Sequence, residues 1–120
     1  SNSSIYLQYT YSRFFNILKK AQFKKPLNSL KNMETEDLMI LRKLSQFKEV
    51  IQNSQEENSP NLIANYLYSL SVLANNYYEK TNILKSEAKL KNQRLTLVYY
   101  LTLIIETGLD LLGINVLPKI

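Results

Sequence analysis

The sequence contains no cysteine and no histidine, and these two absences remove several classes of function. Without cysteine there can be no disulfide bond and no thiolate nucleophile, which fits a reducing compartment such as the cytoplasm. Without histidine the chain lacks a usual zinc ligand and the commonest general base of enzymes. We therefore expect neither a metal site nor a catalytic site within these 120 residues.

Glycine and proline are also scarce, with two and three copies, so the many tight turns of a β-sandwich have few residues to form them. The apolar content of 45% is sufficient for one core in a chain of this length. Apolar residues recur at helical spacing in several segments. We expect residues 1–120 to form one domain, an all-α helical bundle of about five helices.

Local start and stop signals place the first three helices. The first is predicted over Ser4–Phe23 and should end before Pro26, because the residue before a proline disfavours the helical conformation. The second should begin near Thr35, which can act as its N-cap. A short third helix is predicted over residues 48–53.

The fourth helix has the clearest start signal in the chain. Ser59 can cap it, and Pro60 fits its first position because proline needs no hydrogen-bond partner there. The helix should end near residues 79–81. Its predicted buried stripe consists of Leu62, Tyr66, Leu70, Leu73 and Tyr77.

The last helix is long and apolar along one side. Its predicted buried stripe consists of Leu97, Leu101, Ile104, Gly108 and Leu111. Gly113 suits the left-handed turn that ends a helix, so the helix should stop there. Glycine is unfavourable inside a helix, so Gly108 indicates the close approach of a large side chain from a neighbouring helix. Glu106 and Asp110 within the apolar run argue against a membrane span.

Basic residues are concentrated in two segments that lie far apart in the sequence. Residues 1–31 carry six basic and no acidic side chains, and residues 80–94 carry five basic side chains against one acidic. A helix bundle can bring such segments onto one face, where they attract phosphate groups. The candidate phosphate contacts are Arg13, Lys20, Lys24, Lys89, Lys91 and Arg94. Solvated lysines scattered around the surface are the alternative at this point.

Tyrosine is the commonest aromatic residue, with nine copies, and tryptophan is absent. A tyrosine beside arginine or lysine suits unpaired nucleotides, since the ring stacks on a base while the cation holds a phosphate. Tyr9 and Tyr11 precede Arg13 in the first helix and are candidates for such contacts. Tyr78 is a third candidate. Because Tyr77 falls on the buried stripe, Tyr78, about 100° around the helix, should point away from the core.

A series of segments follows a recognisable order along the chain. The segments are residues 7–13, 41–44, 47–51, 60–78, 94–95 and 108–114. Together they resemble the anticodon-binding domain of arginyl-tRNA synthetases, whose opening helix often reads Gln-Tyr-x-His-x-Arg. The chain differs from that pattern at Tyr11, often His in the family, and at Lys48, often Pro. It also differs at the terminal Lys119-Ile120, often Arg-Met.

The resemblance implies a helical bundle of the class I synthetase anticodon-binding type, which receives the anticodon stem and loop of tRNA(Arg) and performs no chemistry. It also implies contact between Ile120, at the end of the chain, and the tRNA. The chain would be the C-terminal fragment of an arginine–tRNA ligase whose catalytic domain lies upstream and uses ATP and Mg²⁺. We expect tRNA, rather than DNA or a membrane, as the partner, and a cytoplasmic location.

Two alternatives remain open on the sequence alone. The β-subunits of glycyl-tRNA synthetases contain a similar helical module, so tRNA binding is predicted more firmly than the identity of the tRNA. A helical protein-interaction module is the second alternative, with the basic segments facing an acidic partner. A synthetase catalytic domain encoded upstream of this chain would favour the anticodon-binding function over the protein-interaction module.

Overall fold

A computed structural model describes residues 2–114, and this range forms five α-helices and one short 3-10 helix. The α-helices are α1 (Asn2–Lys20), α2 (Thr35–Leu44), α3 (Phe47–Glu56), α4 (Asn61–Lys80) and α5 (Ala88–Leu111). The 3-10 helix, Ile83–Lys85, lies between α4 and α5. The described range contains no strand, and the predicted all-α bundle is confirmed.

Helix α1 ends at Lys20, before the predicted end at Phe23. Gln22 adopts the left-handed conformation, with a φ of 53°. The N–H of Gln22 donates to the carbonyl of Lys19 at 3.1 Å, and the N–H of Phe23 donates to the carbonyl of Leu18 at 3.0 Å. This pair of bonds is a Schellman motif, which satisfies the free carbonyls at a helix end. A local backbone turn, rather than the proline farther along, therefore ends the helix.

Helices α2 and α4 begin next to their predicted positions. Thr35 is the first residue of α2 and Glu34 occupies the cap position, so the predicted cap is off by one residue. The backbone N–H of Glu34 donates to Oδ2 of Asp37 at 3.1 Å, which fixes the entry into the helix. Helix α4 begins at Asn61, directly after Pro60. Helix α3 extends beyond its predicted segment at both ends.

Helix α5 is capped at both ends by local hydrogen bonds. The carboxylate of Glu87 accepts a bond of 2.7 Å from the N–H of Leu90 in the first turn. At the other end Gly113 has a φ of 79°, and the N–H of Ile114 donates to the carbonyl of Leu109 at 2.8 Å. The predicted stop at Gly113 is confirmed. None of the described helices combines the length and the apolar character that crossing a bilayer requires.

The buried sides of α4 and α5 are broader than the single stripes predicted for them. Helix α5 packs against α1, α2 and α4, so neighbours cover a wide arc of its surface. Leu111, which was placed on the buried stripe, is 54% exposed, and Ile104 is half-buried. The most deeply buried apolar residues of α5 are Leu97, Val98, Leu101, Ile105 and Leu109. The positions of the neighbouring helices decide which residues of α5 are buried. A single stripe at helical spacing does not capture contacts on several sides.

Gly108 of α5 lies directly against the side chain of Leu67 of α4. A Cβ atom at this position would lie 2.6 and 2.7 Å from the two Cδ atoms of Leu67 and 3.0 Å from its Cγ. Leu67 itself has 0% exposure, so its side chain is enclosed. The predicted close approach of a large side chain to Gly108 is confirmed.

Candidate nucleic-acid interface

The two basic segments of the sequence meet in the folded chain. The loop over residues 21–34, here called the basic loop, follows α1 and lies against the first turns of α5. Lys24 and Lys25 of this loop line one cleft together with Lys91 of α5. Lysines that are far apart in the sequence therefore lie around one opening, where their positive charges add.

A second cleft adjoins the first and shares Leu27 and Asn92 with it. It is lined by Lys31 of the basic loop and Lys89 of α5. Glu87 also lines this cleft; one oxygen of its carboxylate accepts the N-cap hydrogen bond of α5, and its charge offsets one of the two lysine charges there. We call the two openings the lysine clefts. Together they form a basic surface suited to a run of phosphate groups.

A groove of about 400 Å³ lies at the C-terminal end of α1. Ile17 and Lys20 of α1 line it, together with Tyr78 and Lys80 at the end of α4. Lys20 is directly followed by the basic loop, so this groove and the lysine clefts flank the same helix end. The predicted contacts Lys20 and Tyr78 therefore line the same groove, and Lys20 directly precedes the basic loop.

Arg13 lies between Tyr9 and Tyr78 on the surface shared by α1 and α4. Its guanidinium carbon is 4.0 Å from the ring centroid of Tyr78 and 5.0 Å from that of Tyr9, distances typical of cation–π contacts. It donates to the hydroxyl of Tyr9 and, at 3.1 Å, to the side-chain oxygen of Asn75. The exposed carboxylate of Glu79 is 3.9 Å away. Three of the predicted contact residues thus form one cluster, here called the Arg13 cluster.

Tyr78 is 38% exposed whereas Tyr77 is buried, so the prediction that the two side chains point in different directions is confirmed. Arg13 covers part of the Tyr78 ring, and the ring of Phe14 packs edge-on at 5.9 Å between centroids. A base can therefore stack only on the part of Tyr78 that these neighbours leave accessible. Tyr9 is 52% exposed and presents a larger free surface.

Tyr11 is only 2% exposed, and its ring belongs to the core. It stacks with the ring of Phe15 at 5.9 Å between centroids. The predicted stacking of Tyr11 on tRNA is therefore wrong. Its position follows the helical spacing of the buried residues Leu7, Phe14 and Leu18, which places it on the inner side of α1.

Arg94 is also buried, and its guanidinium forms bonds inside the protein. Its Nε donates to Oδ1 of Asp37 at 3.0 Å, its Nη1 to the hydroxyl of Ser86 at 2.8 Å, and its Nη2 to Oε1 of Glu34 at 2.9 Å. The hydroxyl of Tyr77 donates to the same oxygen of Asp37 at 2.6 Å. The predicted phosphate contact of Arg94 is therefore wrong, because internal partners hold its side chain.

Arg94 and Tyr77 of this buried network both keep their protons at neutral pH. Burial lowers the pKa of Arg94, but the hydrogen bond and the charge of Asp37 outweigh burial and raise it above its ordinary value. Burial and the hydrogen bond to Asp37 raise the pKa of Tyr77 well above the ordinary range for tyrosine. Arg94 thus stays charged and compensates the fully buried Asp37. The network joins α2, α4 and α5 and has a structural role.

The remaining site prediction, Ile120, lies outside the described residues. Sequence reasoning missed Asn75, which orients Arg13, although its spacing of three residues from Tyr78 places the two near each other on α4. It also left Lys25 and Lys31 unselected within the basic segment, since only the folded loop brings them to the clefts.

Within the described residues, no three side chains of the types that bind metals lie close enough to hold an ion.

Comparison with known proteins agrees with the all-helical fold. A family model described as the DALR anticodon binding domain matches residues 7–120. An arginine–tRNA ligase of Wigglesworthia glossinidia brevipalpis is 37% identical over 98% of the chain, and one of Pyrobaculum aerophilum is 33% identical over 98%. The structure of Thermus thermophilus arginyl-tRNA synthetase superposes with a TM-score of 0.88 at 31% identity over 96% of the chain.

The chain spans only about a fifth of these relatives: 21% and 19% of the two ligases and 21% of the Thermus thermophilus chain. A putative arginyl-tRNA synthetase from Campylobacter jejuni shares the fold, with a TM-score of 0.89 at 23% identity. The glycyl-type module and the protein-interaction module, which the sequence left open, are not favoured by these matches. The chain therefore belongs to the DALR anticodon-binding domain family, in the form found in arginyl-tRNA synthetases.

Proposed function

We propose that this chain binds the anticodon stem and loop of tRNA(Arg). The observation that carries the proposal is the meeting of two distant basic segments around the lysine clefts, beside a groove that contains the half-exposed Tyr78. A tRNA stem presents phosphates along its backbone, and an anticodon loop presents unpaired bases. One end of α1 offers a surface for each of these features.

The two parts of this surface have different tasks in the proposal. Lysine is a flexible point charge, so Lys24, Lys89 and Lys91 hold phosphates without reading sequence. The tyrosines of the Arg13 cluster supply flat rings on which unpaired bases stack, which adds roughly 1–3 kcal/mol for each base. Lys20 lines the groove with Tyr78 and directly precedes the basic loop, so in this proposal it holds a phosphate between the two parts.

We further propose that the chain acts as the anticodon-binding part of a longer arginine–tRNA ligase with its catalytic domain upstream. The similarity to a fifth of the length of such ligases supports this arrangement. The sequence itself contains no glycine-rich phosphate loop. ATP and Mg²⁺ would therefore bind to the catalytic domain of the same polypeptide. The cytoplasm is the proposed location of the whole enzyme.

The salt dependence of tRNA binding tests the role of the lysine clefts. Binding of labelled tRNA(Arg) is measured from low to moderate ionic strength for the parent chain and for the Lys89→Ala, Lys91→Ala double variant. Because each phosphate contact releases counterions, the slope of log affinity against log salt should fall by roughly 1 for each lysine removed. The double variant should lose affinity for tRNA(Arg) and for other tRNAs to the same degree.

Lys48→Ala is the matched control, because Lys48 is exposed on α3, a helix that packs mainly on α4 and takes no part in the clefts. This variant should keep the parental salt slope. A flat salt response of the parent chain would overturn the role of the clefts. Equal capture of all tRNAs by the parent chain would instead overturn the assignment to tRNA(Arg).

A further inference from the structure

Three side chains from the first half of α5 hold the basic loop at three points. The hydroxyl oxygen of Thr96 accepts a hydrogen bond of 3.0 Å from the N–H of Leu27. The side-chain oxygen of Gln93 accepts a bond from the N–H of Lys31. Farther along, at the end of the loop, the Arg94 guanidinium donates to Glu34 at 2.9 Å. These bonds join residues that are about 60 to 70 positions apart in sequence.

The basic loop needs such attachments because it has no regular hydrogen-bond pattern of its own. Most of its side chains are exposed, and two of its residues, Gln22 and Asn32, have positive φ. A loop of this kind has many accessible conformations, and fixing it costs conformational entropy. Attachments to a rigid helix pay that cost during folding, before any ligand arrives.

The same attachments place the charges of the loop. Lys31 donates its own backbone N–H to Gln93, so its side chain starts from a fixed point beside Lys89. Leu27, held by Thr96, lines both lysine clefts and separates them. Glu34 is an acid at the edge of a basic region, and its bond to Arg94 compensates its charge. Each contact therefore affects either the position or the strength of the positive surface.

We propose that Gln93, Arg94 and Thr96 are positioning residues that preorganise the basic loop for binding to tRNA phosphates. This inference rests on the proposed tRNA binding and extends it: Arg94 and Thr96 are buried beneath the basic loop, and Gln93 uses its side-chain oxygen to hold the backbone of Lys31. Loss of one attachment should weaken binding while the number of lysine–phosphate contacts stays the same. This separates a positioning residue from a contact residue.

Thr96→Val is the sharpest test, since valine has the shape of threonine and lacks the hydroxyl that accepts from Leu27. Its matched control is Thr102→Val. Thr102 is buried on the same helix, and its hydroxyl donates only within α5, to the carbonyl of Tyr99 at 2.8 Å. Thr96 makes an equivalent bond within the helix, to the carbonyl of Asn92. The two variants therefore differ in the loop attachment alone.

Amide hydrogen exchange measures the attachment directly, without tRNA. In Thr96→Val the Leu27 amide should exchange about ten times faster, as expected for the loss of one hydrogen bond. The amides in the middle of α5 should keep their exchange rates, which excludes general destabilisation. Trypsin should also cleave the variant faster after Lys31. Thr102→Val and the conservative Thr96→Ser should behave like the parent chain in both measurements.

The affinity for labelled tRNA(Arg) is then measured on the same variants. Thr96→Val should bind about three to ten times more weakly, with an unchanged salt slope because every lysine is still present. Parental exchange at Leu27 would overturn the attachment, whether or not tRNA binds. Faster exchange with parental affinity would overturn the positioning role. Absence of tRNA binding by the parent chain would overturn the proposed function, while the exchange data would still decide whether Thr96 holds the loop.

Discussion

Replacement of Gly108 by alanine tests how tightly α4 and α5 are packed. The new Cβ would lie 2.6 and 2.7 Å from the Cδ atoms of Leu67, well below ordinary contact distances. The Leu67 side chain has no solvent-exposed surface, so it can move only by displacing other core atoms. We therefore expect overpacking between the two helices.

Two opposing effects set the size of the change. Overpacking in a core costs about 1–3 kcal/mol of the free energy of unfolding. Alanine in place of glycine inside a helix stabilises by about 1 kcal/mol. The net expectation for Gly108→Ala is a destabilisation of about 1 kcal/mol, measured by urea denaturation. Gly108→Leu, which adds a larger side chain at the same point, should cost more.

In a chain that already carries Leu67→Ala, the effect of Gly108→Ala on the free energy of unfolding should change sign. Leu67→Ala removes all three atoms that the new Cβ would meet, at a cost of about 2–5 kcal/mol. In that background Gly108→Ala should stabilise the chain by about 1 kcal/mol, because only the helix preference remains. The difference between the two backgrounds is the coupling free energy between the two positions.

Gly113→Ala is the control for this experiment. A Cβ at Gly113 would meet nothing within 4 Å, but its φ of 79° disfavours alanine. The variant should therefore lose about 1 kcal/mol equally in both backgrounds. If Gly108→Ala had the same effect on the free energy of unfolding with and without the Leu67 side chain, the close-packing argument would be refuted.

Two further predictions concern tyrosines. In a binding titration, Tyr78→Ala should lower tRNA affinity by one to two orders of magnitude, and Tyr78→Phe should keep most of the affinity. Tyr78→Ala should also lose a modest amount of stability, because the ring contacts Phe14 and Arg13. Burial raises the pKa of Tyr66 and Tyr77, so they stay protonated in the folded chain above pH 10 but ionise when unfolded. The free energy of unfolding, from urea titrations at pH 8 to 11, should therefore fall above pH 10, less steeply in Tyr77→Phe; parallel curves would contradict this.

The sequence predicted features that depend on local geometry. Gly113 ends α5 because its backbone conformation favours glycine, and Gly108 marks a close approach because glycine has no other advantage there. The different directions of Tyr77 and Tyr78 follow from the angle between successive helical residues. Each of these inferences needs only a few neighbouring residues.

Features that depend on distant partners were not predictable in this way. Arg94 looks like a member of a basic surface segment until Asp37, 57 positions away, is brought beside it. Tyr11 is a different case, because its helical spacing with Leu7 and Phe14 already indicates the inner side of α1, and the nearby Arg13 only made it resemble a surface contact. The end of α1 at Gln22 carries no glycine signal, since a polar residue adopts the left-handed turn.

The lysine clefts also have a consequence for the protein in the absence of tRNA. They bring like charges together only when the chain is folded, so their mutual repulsion opposes folding. Dissolved ions screen this repulsion and should favour the folded state of the free domain. The same ions compete with the lysines for phosphates and weaken the complex. The free domain and its complex with tRNA should therefore respond to salt in opposite directions.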